Sequence, residues 1–198
     1  MEGESPQLKE DDALRAKLNE FARLPGMVAR FREHKQLHLL VEPLLTEGEI
    51  FFAPPDLFLR HTKRPSESML LVRGQRLSLR TPNGSHRIDL SSAPLISAFV
   101  ESFQLLLVGN QSGLQTLYEI DYAEDRSNKS AAWRIRLTPR RSPLSDMISW
   151  IRVSGTGTAL AEVEIAELRG DRTLTRFSEV DSSRRFAEGE LEAMFESP

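Results

Sequence analysis

The chain contains no cysteine. That excludes a disulfide scaffold, a thiol nucleophile and thiolate-bound zinc, while leaving the compartment open. No run of 18 apolar residues occurs, so no transmembrane helix is expected. A dominant charge is missing too: 26 Lys+Arg against 29 Asp+Glu leave a net charge of −3 and a pI near 5.9. Without a basic field, general nucleic-acid binding is not expected. No signal peptide is visible either. The chain opens Met1-Glu2-Gly3-Glu4-Ser5-Pro6, a polar start typical of mature exported chains and trimmed ones, so the expectation is a signal peptide already removed.

What is present is an ordinary globular balance, 39% hydrophobic and 28% charged over 198 residues. This predicts a single domain over 1–198 with a flexible segment at 1–10. In DDALRAKLNEFARL, Leu14, Leu18 and Phe21 recur at helical spacing, predicting a helix over 11–24 that Pro25-Gly26 ends. The pattern then turns to period two. MVARFREHKQLHLL, GEIFFA, LFLRHT, MLLV and the alternation of Leu77 and Leu79 with Arg76, Ser78 and Arg80 read as strands. Asn83-Gly84 is a hairpin signal, and Ile88 and Leu90 continue the sheet.

The segment APLISAFVESFQLLLVG reads as a second helix, about 93–108, with Pro94 in its first turn. Its stripe of Leu95, Ile96, Phe99, Val100, Phe103, Leu106 and Leu107 is wider than a surface helix needs. A helical turn is expected at 113–117. Strands resume with Ile120 and Tyr122, and EDRSNKS is read as a loop. Trp133, Ile135 and Leu137 then share one strand face, and MISWIRVSG, ALAEVEIAEL and TLTRFSEV supply three more strands. The tail FAEGELEAMF is read as a strand or turn. The expected fold is α+β: an incomplete antiparallel β-barrel of roughly ten or eleven strands with helices over its concave face.

Chemistry-bearing motifs are scarce. No GxSxG, HExxH or phosphate loop occurs. His34 and His38 lie four apart in a strand-like segment and read as a solvated pair, and no carboxylate pair stands out in an apolar setting. Neither a metal, a cofactor nor an enzyme activity is expected. What remains is apolar surface on a sheet face and a helix. On pattern alone that suits a packed core first; it is also consistent with a half-open sheet that holds acyl chains, each CH2 contributing about 0.8 kcal/mol on burial. The candidate lipid-binding residues are Phe58, Met69, Leu71, Leu77 and Leu79, with Trp133, Ile135, Leu137 and Ile151, on the sheet, and Leu95, Ile96, Phe99, Val100 and Phe103 on the helix.

Several pieces occur in a known order: Phe31-Arg32-Glu33, Gly48-Glu49-Ile50-Phe51-Phe52, Pro55-Asp56-Leu57-Phe58, Pro65-Ser66-Glu67-Ser68 before MLLVRGQRL, Trp133-x-Ile135-x-Leu137-Thr138-Pro139, and Gly170-Asp171-Arg172-Thr173 with Phe177. Over roughly 13–195 the chain resembles the LolA family of periplasmic lipoprotein carriers, as a divergent member. The resemblance implies a lidded hydrophobic cavity for acyl chains of lipoproteins or other lipids. It also implies a monomer in the periplasm, shuttling from an inner-membrane releasing complex or exporter towards an outer-membrane acceptor. The family carries an Arg just before the proline of the second strand turn to hold the lid, and Pro54 stands there instead. The alternative is a lipid- or envelope-sensing regulatory module of the same fold.

Overall fold

The computed structural model describes residues 6–125 and 131–196. The polar start at 1–5 and most of the expected loop at 124–130 lie outside the described residues. The first helix, α1 (Pro6–Phe21), begins earlier than the expected 11, so residues 6–10 are helical. A proline is tolerated in a first helical turn, where its missing N–H has no partner to lose. The Glu10 carboxylate accepts the Tyr122 N–H at 2.9 Å and so ties this end of α1 to the sheet.

Eleven strands follow: β1 (Met27–Gln36), β2 (Leu44–Ala53), β3 (Leu57–Arg64), β4 (Ser68–Arg73), β5 (Arg76–Thr81), β6 (Gly84–Asp89), β7 (Tyr118–Asp125), β8 (Ala132–Pro139), β9 (Ile148–Thr156), β10 (Ala159–Glu167) and β11 (Arg172–Asp181). They form one antiparallel sheet in the order β6-β5-β4-β3-β2-β1-β11-β10-β9-β8-β7. β6 and β7 are its two edges, so the sheet stays open. Register shifts at Val28/Arg30, Glu47/Gly48, Leu160/Glu162 and Ala166/Glu167 interrupt the ladders. Such bulges add local twist and bend strands, and here they accompany a sheet with a concave side.

That strand order dictates where the remaining helices go. The chain leaves the sheet at one edge, β6, and re-enters at the other, β7, so it has to cross the whole concave face. It does so through α2 (Pro94–Leu107) and α3 (Gln111–Leu117). Leu90, expected to continue the sheet, lies in a short 3-10 turn instead and is buried. The tail forms a helix, α4 (Glu190–Glu196), on the opposite face. Leu191, Met194 and Phe195 recur at helical spacing and pack there with Phe51, Leu59, Met69 and Leu71. Both faces of the β2–β4 region are therefore covered.

The main core lies between α1, α3 and strands β7–β9, around Leu14, Leu18, Phe21, Tyr118, Ile135 and Leu144. Side chains as buried as Leu18, Leu59 and Ile135 each contribute roughly 1.5–3 kcal/mol of transfer free energy.

Candidate functional site

The unusual element is α2. Of its large apolar side chains only Leu107 is buried, while Phe99, Val100, Phe103, Leu105 and Leu106 remain half-buried although the helix lies across the sheet. The reason is empty space. Two almost wholly apolar hollows flank α2, and Phe99, Phe103 and Leu107 line both, so this row of the helix is the partition between them.

The first hollow, of about 270 Å³, lies between α2 and the β2–β5 half of the sheet. Phe52 and Phe58 at the β2–β3 turn, Leu70 and Val72 of β4 and Leu77 of β5 face Ile96 and Val100 across it. Asp56 and Gln104 are its polar members. The Phe103 ring stands edge-on to Phe58, centroids 4.9 Å apart, and to Phe52 at 6.3 Å. Offset and edge-to-face pairs of this kind add roughly 0.5–1.5 kcal/mol beyond area burial.

The second hollow, of about 230 Å³, lies between α1, α2 and strands β8–β10. Trp133, Leu137, Ile151, Val153, Val163 and Ile165 form its sheet wall, and Phe21, Leu24 and Leu106 its helix wall; Ser102 and Thr158 are its polar members. Trp133 packs edge-on to Phe21 at 5.2 Å and donates its indole N–H to the Gly157 carbonyl at 2.8 Å. Gly155 makes room for it. A Cβ there would stand 2.6 Å from the indole and 2.2 Å from the Ala159 carbonyl oxygen.

Nine of the residues singled out from sequence line these hollows: Phe58, Leu77, Ile96, Phe99, Val100 and Phe103 around the first, with Trp133, Leu137 and Ile151 in the second. Leu79 packs beside the first hollow without lining it, and Leu95 and Ile135 belong to the α1-side core. Met69 and Leu71 face the other way and pack under α4. MLLV is apolar at all four positions, so alternation there cannot choose a face, and it is Leu70 and Val72 that point inward. Residues not singled out, such as Phe52, Met27, Val153 and Val163, sit on the same inward rows as those that were. The cross-strand partners Ile135↔Val153↔Val163 display the register that places them.

Polar contacts hold α2 in place. The buried Tyr118 hydroxyl lies 2.6 Å from the Ser102 hydroxyl, which itself donates to the Ala98 carbonyl, so the phenol is the donor of the pair. Burial pushes the Tyr118 pKa above its usual value and keeps that proton on. At the opposite side the Gln104 amide reaches the Gly74 carbonyl at 3.5 Å. α2 is thus fastened at both halves of the sheet by side chains other than the residue at position 54. Among the described residues no group of three His, Cys, Asp or Glu is arranged to hold a metal, and no helix is long and apolar enough to cross a membrane.

Comparison with known proteins agrees with this architecture. Among solved structures, a domain of Vibrio parahaemolyticus assigned to outer membrane lipoprotein sorting superposes with a TM-score of 0.50 at 9% identity, covering 95% of this chain and 98% of that one. A LolA superfamily protein from Nitrosomonas europaea gives 0.46 at 9%, covering 90% and 96%. The lipoprotein LppX of Mycobacterium tuberculosis gives 0.48 at 14%, covering 89% and 98%. At 9% identity the likeness to the Vibrio domain is one of fold alone. A search of curated proteins found no match. The family described as "Outer membrane lipoprotein carrier protein LolA-like" matches residues 10–187, and the chain belongs to it.

Proposed function

We propose that this protein is a periplasmic carrier that holds acyl chains of lipoproteins or other lipids between α2 and the concave face of the sheet. The observation that carries this reading is the apolar row Phe99–Phe103–Leu107, which borders two hollows at once and leaves Phe99 and Phe103 only half-buried. Native interiors are close-packed, with few voids larger than a water molecule. A sealed apolar void of 230 Å³ would cost about 5.5 kcal/mol at ~24 cal/mol per Å³; this hollow is partly open to solvent, so its cost is a fraction of that. A domain's whole stability is only about 5–15 kcal/mol. Keeping such space makes sense where a ligand fills it.

The walls suit an alkyl chain: almost every lining side chain is apolar, and each buried CH2 contributes about 0.8 kcal/mol. Each hollow alone falls just under the ~300–1,000 Å³ typical of ligand sites. A shift of α2 that swings the Phe103 ring off Phe58 joins them into one that falls inside that range. α2 is therefore the lid, and the ligand replaces its aromatic contacts. In this reading the protein acts as a monomer, receives cargo from an inner-membrane releasing complex or exporter and passes it to an outer-membrane acceptor.

The test is uptake of a fluorescent acyl probe by Phe99→Glu, which places a carboxylate where both hollows meet. Binding is expected to fall at least tenfold while the circular dichroism spectrum is kept. Unchanged uptake by folded variant protein would contradict the assignment of the hollow.

A further inference from the structure

Large apolar side chains left in solvent are normally scattered singly and need no explanation. Here they are not scattered. Of the nine such residues among those described, seven lie at one end of the sheet: Leu39, Leu40, Val41, Leu44 and Leu45 in the β1–β2 hairpin, Met147 before β9 and Leu168 after β10. The strand pairings put all three segments at the same end, because Gln36 pairs with Arg172 and Glu167 with Ile148. Leu39 is 82% and Val41 98% exposed, values near those of an extended chain.

The hairpin tip is nonetheless held in shape. The Gln36 amide donates to the Leu40 carbonyl at 3.1 Å and the Leu40 N–H to the Leu37 carbonyl at 3.0 Å. The His38 N–H and imidazole both reach the Asp171 carboxylate at 2.8 Å, which fastens the tip to the β10–β11 turn carrying Leu168. Leu168 in turn donates its N–H to the Met147 carbonyl at 2.8 Å. The three apolar segments are one connected unit.

We propose that this end of the sheet is a membrane-docking rim that dips into the headgroup boundary of a lipid bilayer. The shape favours lipid over protein. Leu39, Leu40 and Val41 are three consecutive exposed residues at the hairpin tip, the outer two with almost no packed neighbour, which suits a fluid apolar medium better than a fixed complementary pocket. The tip has none of the Trp, Tyr or Arg anchors in which protein hot spots are enriched. Behind the tip stand cations suited to lipid phosphates: exposed Arg140 and Arg169, with Arg64 and Arg172, which also lie 3.8 Å from Glu47 and 3.6 Å from Glu164. Several nearby acids are occupied, Asp171 by His38, Asp146 by Ser142 and Glu167 by Lys35. On the convex face Trp150 lies under the guanidinium groups of Arg136 at 4.8 Å, Arg152 at 5.5 Å and Arg172 at 6.0 Å. An amphipathic ring with cations beside it is what the bilayer interface selects. Glu42, between the two leucine pairs, limits insertion to headgroup depth, where interfacial elements rest about 5–10 Å into the boundary.

The rim is separate from the two hollows, so this inference does not depend on the carrier reading. It is tested by co-sedimentation with vesicles of phosphatidylethanolamine and phosphatidylglycerol, comparing the wild type with the double variant Leu39→Asp/Val41→Asp. Both side chains are solvent-exposed, so the fold and acyl-probe uptake should be unchanged. The expected result is vesicle binding by the wild type that weakens at least tenfold in the double variant. A second variant, Arg169→Glu/Arg172→Glu, should weaken binding to these vesicles and to a lesser degree to pure phosphatidylcholine. Vesicle binding retained by Leu39→Asp/Val41→Asp would overturn the proposal, as would a wild type that ignores vesicles. So would a dimer in solution that only the tip variant dissociates, which would make a second copy the occupant.

Discussion

Two residues decide the shape of the hollow. Phe103 partitions it and touches Phe52 and Phe58. Because it already borders empty space, Phe103→Ala is expected to cost well below the ~3–5 kcal/mol of a packed Phe→Ala change, while acyl-probe binding is kept or strengthened as the two hollows join. Urea unfolding and probe titration on one sample read both. Gly155 acts oppositely. Gly155→Ala drives a methyl into the Trp133 ring and the Ala159 carbonyl, an overpacking worth roughly 1–3 kcal/mol, and a shifted tryptophan emission should accompany the lower Tm. The glycine in the GTG turn was legible as a turn residue only. Its closeness to Trp133 depends on the β8–β9 register, in which Trp133 pairs with Gly155, and no local pattern carries that.

At the scale of elements, the lid and the back helix separate function from stability. α2 was readable because its stripe is too wide for a surface helix, and the excess faces the hollows. α4 was not. A seven-residue segment with one Leu, one Met and one Phe leaves helix and strand indistinguishable until the convex faces of β2–β4 are known to need cover. Leu191 is buried there, so Leu191→Ala should destabilise by roughly 2–5 kcal/mol without changing probe affinity per folded molecule. The lid latch behaves differently: Tyr118→Phe removes the proton donated to Ser102 and should cost about 0.5–1.5 kcal/mol, with faster probe exchange as its signature. Turns titrate as well. Asp89, Asp171, Asp181 and Glu190 accept nearby N–H or hydroxyl hydrogen bonds that hold their pKa values below the ordinary carboxylate range. Their folded pKa values are depressed, so their stabilisation is complete above about pH 4–5 and is lost as pH falls through the lowered values. Amide exchange at Ser91, His38, Ser183 and Ala187 should therefore accelerate only below that range.

The whole molecule follows from one topological fact. β6 and β7 are opposite edges of an open sheet, so the chain joining them has to lie across the concave face, and an apolar helix placed there becomes a lid. Strand number, antiparallel order and lid position were legible from alternation, turn signals and the family's motif order. The inward or outward sense of an all-apolar strand such as MLLV was not, because a shift of one residue exchanges the two faces. A ligand that binds only the folded chain stabilises it by about 2.7 kcal/mol at a hundredfold excess over Kd. For a chain of this length that corresponds to roughly 5–10 °C in Tm, an effect that water-soluble solutes without an alkyl chain should not reproduce. The most direct measurement of the central claim is native mass spectrometry of the protein purified from a bacterial envelope, alongside Phe99→Glu. The account predicts an adduct of acyl-lipid mass, released into organic solvent and absent from the variant. A bare polypeptide mass for both proteins, persisting after incubation with acyl lipid, would contradict it.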